Sequence, residues 1–315
     1  MKIANCCLDN RIVEIDIAKG ICILLMVIGH SGITGAFHNM INAFHMPFFF
    51  FVSGVTTNIE RPFDFYLRSK VKGLIIPFSI YYIIHVPCYA LVYNRNVLEQ
   101  VSYEFSSRID GALWFVPILF FAQIINWVIP RKRFWEFISV VILASISSIL
   151  CIAGVSLPWN LSVLGLASSF VIAGRMLSAG GAKKLTSSQY NSYKILGGFI
   201  ICFLVLIRIS GIFHLVMVFD LIEPCLPIMV GAFSGIFMVL LASVLIKRKI
   251  CLLSNFLSYT GINTFVFIGF SEFILKYENL YIREFVLIKY VLLFFFLYTI
   301  IYLKNKMPWA KALRL

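Results

Sequence analysis

Ionisable side chains interrupt the first long apolar stretch of the chain, at positions where they could do acid–base chemistry. Asp16, Lys19 and His30 lie in a run of residues that is otherwise almost wholly apolar. Ionisable groups in a membrane segment are costly, so they usually face a protein interior or a water-filled cavity. Lys19 and His30 are about three helical turns, or roughly 16 Å, apart on one face of a helix. The pattern predicts a functional site, with Asp16 paired to Lys19 three residues away.

Histidines are concentrated in the same region. Of the five histidines in the chain, His30, His38 and His45 fall within sixteen residues. His30 closes the apolar run, and His45 is followed by Pro47, which lacks a backbone donor and frees a carbonyl one turn earlier. We expect His30 and His45 to be functional, whereas His38 is marked only by its place in a predicted loop.

The whole chain has the composition of an integral membrane protein. It is 61% hydrophobic, with a mean hydropathy of +0.93 and only 13% charged residues, whereas soluble domains carry about 25% charged residues. We predict an all-α, polytopic membrane protein whose single helical bundle forms one domain over residues 1–315. Apolar runs of about twenty residues predict ten spans, at 12–32, 40–58, 73–93, 112–130, 137–155, 158–178, 195–217, 226–246, 256–275 and 285–303.

Basic residues divide unevenly between the two sides of this ten-span arrangement. With the N-terminus inside, twenty Lys and Arg residues fall in inner segments and four in outer loops, in agreement with the positive-inside rule. Both termini are therefore predicted to be cytoplasmic. The net charge of +13 follows from this topology and from contact with anionic membrane lipids, so no nucleic-acid partner is expected. The eight cysteines lack metal-ligand spacing, and no metal is expected.

Five short motifs together resemble those of the acyltransferase-3 family of integral-membrane enzymes. The two most specific are Arg11…Asp16-x-x-Lys19-Gly20 with His30 eleven residues after Lys19, and Phe44-His45-Met46-Pro47 continuing through Phe48–Phe51 to Val52-Ser53-Gly54. The stretches 74–78, 113–117 and 261–264 agree with the family pattern. The resemblance covers residues 11 to about 275, and the chain most resembles the branch named for fucose 4-O-acetylase.

The resemblance implies transfer of an acyl group, commonly acetyl from cytoplasmic acetyl-CoA, to a cell-surface or lipid-linked glycan, in the inner membrane of a bacterium. Such transfer needs a base for the hydroxyl proton and donors for the oxyanion. We expect His30 to be the base and His45 to orient it or to donate to the oxyanion. Asp16, which pairs with Lys19, is the third residue that we assign to the catalytic group. CoA phosphates are expected at four basic residues, which are Lys19, Arg68, Lys70 and Lys72. The acceptor is expected at Asp110, Trp114, Asn263 and Glu272.

Two departures from the family pattern affect these roles. Lys70 and Lys72 stand in a segment where relatives typically have arginines, so the bidentate fork that suits phosphate is lost. Many relatives also carry a histidine about ten residues beyond Gly261, where this chain has Ser271 followed by Glu272. Glu272 could substitute for that histidine, or it could pair with Arg208.

Two other classes of function stay open from the residues alone. A transporter or flippase for a lipid-linked saccharide would also need intramembrane charge, and it predicts matching broken helices in both halves of the chain. A sensing or scaffolding protein with a decayed site would account for the missing histidine. The concentration of polar residues in the first two predicted spans favours the enzyme.

Overall fold

The chain is almost entirely helical in the computed structural model, which describes residues 11–107, 109–185, 192–217, 221–222, 225–281 and 286–307. The helices of the first half are α1 (Val13–Gly29), α2 (Ala36–Thr56), α3 (Phe63–Lys70), α4 (Ile76–Val92), α5 (Val97–Ser106), α6 (Phe115–Val128) and α7 (Arg133–Ile152). Those of the second half are α8 (Leu164–Leu185), α9 (Ser192–Ser210), α10 (Cys225–Lys249), α11 (Cys251–Ile262), α12 (Thr264–Tyr281) and α13 (Val286–Lys306).

Short segments of other structure connect these helices. A π-helical turn (Val71–Ile75) joins α3 to α4, and 3-10 segments (Gly111–Trp114 and Pro158–Val163) precede α6 and α8. The two-residue strands β1 (Leu215–Val216) and β2 (Leu221–Ile222) pair antiparallel between α9 and α10. The predicted all-α class is confirmed.

Fewer helices can span a membrane than the sequence analysis predicted. Each of the ten predicted spans overlaps a helix, but among the described residues seven helices are long and apolar enough, or eight with one bent pair. α1 has 17 residues, at the short end of the range for a spanning helix, whereas α4 and α6 are counted together with the helical segments that precede them, as Phe63–Val92 and Gly111–Val128. α2 carries several polar residues in its first two turns. The count of ten is therefore not supported. The termini (1–10 and 308–315) lie outside the described residues, and their orientation stays a prediction.

Glycines let the central helices of the bundle approach one another closely. Gly54 of α2 and Gly174 of α8 each lie against the backbone of the other helix, and Gly20 of α1 and Gly261 of α11 form a similar contact. A Cβ atom at any of these positions would overlap a backbone atom of the facing helix. Small residues at helix crossings are typical of membrane bundles. The Gly20–Gly261 contact holds the segment around Lys19 against the end of α11.

The ninth predicted span, 256–275, is not one continuous helix. α11 ends at Ile262, α12 begins at Thr264, and the pair is bent by 81°. At the break the Asn263 side chain donates a hydrogen bond to the Tyr259 carbonyl, and the Thr264 hydroxyl donates to the Gly261 carbonyl. These bonds satisfy carbonyls that lose their helical partners where α11 ends.

α5 lies between α4 and α6 and turns its polar face inward. It begins with a capping box, in which Asn96 accepts from the Glu99 backbone N–H and Glu99 accepts from that of Asn96. Gln100 and Glu104 are fully buried, whereas the apolar side chain of Leu98 is 79% exposed. Because buried polar groups need partners, this helix must contact polar groups elsewhere in the interior.

Candidate active site

His30 lies at the C-terminal end of α1, where two cavities share its side chain. The larger has a volume of about 270 Å³ and is also lined by Asp110 and Glu272. The smaller, of about 30 Å³, is also lined by His45 and Trp114. The structure therefore brings together five residues that the sequence analysis assigned to catalysis and to the acceptor, from α1, α2, α12 and the segment before α6.

A carboxylate lies beside the imidazole of His30. Nδ1 of His30 is 3.9 Å from Oε2 of Glu272, which is about 1 Å longer than a hydrogen bond. Oε1 of Glu272 is 3.3 Å from Nζ of Lys276, and Nζ donates to the Tyr93 hydroxyl at 3.0 Å. Glu272 thus contacts His30 and Lys276, whereas Arg208, with which a pair was also considered, is exposed on α9.

His45 is buried on α2, and its tautomer follows from its one hydrogen bond. Nδ1 lies 2.9 Å from the carbonyl oxygen of Ile41, and a carbonyl only accepts, so Nδ1 carries the proton. In the neutral ring Nε2 is then an acceptor. Of the two roles expected for His45, donation to an oxyanion would need the protonated ring, which has a second N–H, and orientation of His30 would not; both stay predictions.

Lys19 lies about three turns from His30 along α1 and lines two further cavities. One has a volume of about 320 Å³ and includes Arg11, Asp16 and Gly261. The other, of about 260 Å³, includes Ser53 and apolar residues of α2, α6 and α12. Lys19 and Asp16 form the ion pair that their spacing predicts, with Nζ 3.5 Å from Oδ1. Two cations therefore face one cavity together with a single carboxylate.

Two aromatic rings line the cavity that extends from Lys19 toward residues of α2 and α6. Phe49 and Phe115 line the cavity of about 260 Å³, and their rings meet edge to face with centroids 6.1 Å apart. Phe49 follows His45 by one helical turn, and Phe115 directly follows Trp114. Each ring thus belongs to the same segment as a residue of the small cavity at His30.

The basic segment 68–72 is only partly turned toward the interior. Nζ of Lys70 donates to the Thr57 hydroxyl at 2.8 Å and lies 5.1 Å from the centre of the Tyr66 ring. Arg68 and Lys72 are exposed and are not among the residues that line the two cavities at Lys19. The predicted group of four basic residues is therefore not assembled as one cluster, because successive positions of a helix point in different directions.

The structure changes the interpretation of Asn263 and His38. Asn263 accepts a hydrogen bond from Lys304 at 2.6 Å, and its neighbours in the chain line the cavities at Lys19. It is therefore not brought to the acceptor-side cavity with Asp110. His38 lies in the first turn of α2 instead of a loop, and it lines the same cavity as His30.

Several residues of these cavities were missed by the sequence analysis. Arg11 was noted only as part of a motif, and Asn42, Tyr93 and Lys276 were given no role, although all three line the cavity of about 270 Å³. Lys276 follows Glu272 by four residues, a spacing that could have indicated a pair. Among the described residues, no three His, Cys, Asp or Glu side chains are grouped as metal ligands.

Comparison with known proteins adds one match. A family model described as an acyltransferase domain, that of acyltransferase-3, matches residues 12–313. No match was found among curated proteins or among solved structures. The match to the family covers nearly the whole chain, but it does not distinguish the branch named for fucose 4-O-acetylase. This chain belongs to the acyltransferase-3 family and is a membrane acyltransferase.

Proposed function

We propose that this acyltransferase moves an acetyl group from acetyl-CoA to a hydroxyl of a cell-surface or lipid-linked glycan, in a bacterial inner membrane. The observation that carries the proposal is the position of His30, which adjoins Glu272 and lines both cavities at its end of α1. A hydroxyl in the larger cavity would contact a base supported by a carboxylate. The proposal includes the fucose 4-O-acetylase-like branch, which the chain most resembles.

The proposed reaction combines one proton transfer with one acyl transfer. Nε2 of His30 takes the proton of the acceptor hydroxyl while the hydroxyl oxygen attacks the thioester carbonyl carbon. The C–S bond then breaks, the acetyl group remains on the acceptor as an ester, and the CoA thiolate takes the proton from the imidazolium. Glu272 beside Nδ1 favours the tautomer that exposes Nε2 and stabilises the imidazolium, as carboxylates do in catalytic triads.

The donor is proposed to bind at the Lys19 end of the molecule. Arg11 and Lys19 face one cavity, and charge-assisted hydrogen bonds from such cations suit the phosphates of CoA. The acyl arm would then extend from Lys19 toward His30, roughly 16 Å along α1, starting in the cavity that Lys19 shares with Phe49 and Phe115. The Lys19 end is accordingly proposed to face the cytoplasm, where acetyl-CoA is made.

The acceptor is proposed to bind in the cavity of about 270 Å³. Its polar residues include Asp110, Asn42 and Tyr93, which can donate to and accept from sugar hydroxyls. Trp114 is buried in the small cavity, so a role in stacking on the ring of a sugar is less suited to it than shaping the space beside His30.

The transporter alternative is less well supported by the helices. It predicts broken helices at matching places in both halves of the chain. Among the described residues there is one bent pair, α11 and α12. The described part of the first half contains no matching bent pair. Membership of an acyltransferase family favours group transfer.

The most direct experiment compares surface glycans from cells with and without this protein by mass spectrometry. The proposal expects an added mass of one acetyl group on a glycan only when the protein is present, and its return when the gene is restored. Identical glycan masses in the two strains, with the protein folded in the membrane, would contradict the proposed function. Purified protein with radiolabelled acetyl-CoA and membrane extract then identifies the acceptor fraction.

A further inference from the structure

A fully buried glutamine connects the candidate acceptor cavity to the interior. Nε2 of Gln100 donates to Oε1 of Glu104 at 2.8 Å and to Oδ2 of Asp110 at 2.9 Å. Its Oε1 accepts from the Arg95 guanidinium at 3.1 Å. An amide has two donor hydrogens and one acceptor oxygen, so both hydrogens are used on carboxylates. Gln100 therefore has little freedom to rotate or flip.

Asp110 is the member of this network that lines the cavity. It stands with His30 and Glu272 among the lining residues of the cavity of about 270 Å³. One of its oxygens accepts a hydrogen bond from Gln100, and this bond fixes the orientation of the carboxylate in the cavity. A fixed carboxylate can accept hydrogen bonds from hydroxyl groups at defined angles.

The buried carboxylate of Glu104 accepts from the same nitrogen of Gln100 as Asp110 does. Oε1 of Glu104 lies 3.5 Å from Nε2 of His85, and both side chains are almost completely buried. Oε2 of Glu104 and the Tyr89 hydroxyl are buried without a hydrogen-bond partner in the described residues. Buried polar groups without a partner are costly and rare in folded proteins, so each one needs an explanation.

Gly111 allows this network to approach the cavity closely. Its φ is +70°, a conformation that favours glycine, and a Cβ there would lie 2.6 Å from the Tyr89 hydroxyl and 3.2 Å from Cε1 of His85. Gly111 also lines the cavity with its neighbour Asp110. Only a residue without a side chain lets His85 and Tyr89 pack directly behind the cavity wall.

We propose that Gln100 is a positioning residue that fixes the Asp110 carboxylate to receive hydroxyl groups of an uncharged sugar acceptor. The inference rests on the proposed function, since it names the group that holds the acceptor of that reaction. Asp110 and Glu272 both face the cavity, and Lys276 already pairs with Glu272. Apart from its two histidines, the ionised side chains that line the cavity are two carboxylates and one ammonium group, which disfavours an anionic acceptor, whereas neutral hydroxyls can donate to Asp110.

The test uses the full-length protein in lipid nanodiscs with acetyl-CoA and a dilution series of glycan extract from cells lacking the protein. Gln100→Met keeps the side-chain size and removes both donors, and Asp110→Ala removes the carboxylate. Because a hydrogen bond to a charged group contributes about 1.5–3 kcal/mol, each change should raise the apparent KM for the extract about tenfold or more. The KM for acetyl-CoA should stay unchanged.

A double variant separates positioning from general loss of structure. If Gln100 acts through Asp110, adding Gln100→Met to Asp110→Ala should cause no further rise in the apparent KM for the extract. Ser102→Ala, at an exposed position of the same helix, is the matched control and should behave as the wild type. Additive losses in the double variant, or a lower kcat with unchanged KM for the extract, would overturn the inference.

Two further outcomes are distinguishable. If Gln100→Met does not fold, Arg95→Gln removes the contact to Oε1 of Gln100, together with the guanidinium that lies over the Tyr93 and Tyr103 rings. This variant should still raise the KM for the extract, and an unchanged value would overturn the inference. If the wild type transfers no acetyl group to any extract, the proposed function fails and the inference fails with it. If the wild type transfers the acetyl group and the Gln100→Met variant has the same KM for the extract, the positioning role is refuted while the proposed function stands.

Discussion

At the scale of single residues, His30 combines a carboxylate partner with access to two cavities. His30→Ala should lower acetyl transfer by about 10²- to 10⁴-fold, the usual contribution of a general base. The amount of folded protein in the membrane should stay near that of the wild type. His214→Ala is the control, because His214 is exposed in the segment after α9. Unchanged transfer by the His30 variant would exclude it as the base.

Glu272 provides a second prediction at this scale. Glu272→Gln keeps the shape of the side chain but removes the charge beside Nδ1 of His30 and the pair with Lys276. We expect kcat to fall by roughly tenfold or more, because the imidazolium formed in the reaction loses its stabilising charge. The KM for acetyl-CoA should not change. Glu60→Gln, at an exposed carboxylate, is the control, and an equal kcat in both variants would remove Glu272 from the mechanism.

Lys19 can be tested by direct binding. Lys19→Ala should weaken acetyl-CoA binding about tenfold or more, since it removes a charged donor and leaves Asp16 without its partner. Lys132→Ala is the matched control, because Lys132 is exposed and is not among the residues that line the cavities at Lys19. Calorimetry at two salt concentrations measures both the affinity and its electrostatic part. If both variants bind acetyl-CoA with equal affinity, Lys19 does not contribute to donor binding, and its charge reflects membrane topology only.

At the scale of helices, close crossings between glycines hold the site together. Gly261→Ala would place a Cβ against the backbone of Asp16 and Gly20, which forces α1 and α11 apart. We expect a lower melting temperature and weaker acetyl-CoA binding, since the cavity at Lys19 includes Gly261. Gly197→Ala in α9 is the control, because open space surrounds that position and alanine favours helix. Equal melting temperatures for the two variants would contradict the packing argument.

The same scale explains how much could be predicted from the sequence. The pair of Asp16 and Lys19 was predictable, because both lie on one helix at a fixed spacing. The contact between His30 and Glu272 was not, because it depends on how α1 packs near α12. The break at Asn263 was also missed, because hydropathy averaged over a window of residues does not reveal a local change of helix direction. Helix positions were predictable from hydropathy, whereas their ability to cross a membrane depended on exact lengths.

At the scale of the whole molecule, the two ends of the bundle differ in chemistry. Arg11 and Lys19 face the cavity at one end, and Lys247 pairs with Glu14 near the start of α1. At the other end, Asp110 and Glu272 line the cavity at His30. An enzyme that takes an anionic donor from one side of a membrane and a neutral acceptor from the other would need this difference. Under the proposed function, orientation in the membrane would therefore set the direction of transfer.

Orientation can be tested with single-cysteine variants and a maleimide that does not cross membranes. Cys251 is exposed and follows the basic end of α10, so the positive-inside rule places it in the cytoplasm. Ser102→Cys lies on α5, whose Gln100 contacts the cavity at His30, and should face outward. In intact cells we expect labelling of the cysteine introduced by Ser102→Cys, with labelling of Cys251 only after permeabilisation. The reverse pattern would invert the topology, and with it the proposed entry of acetyl-CoA at the Lys19 end.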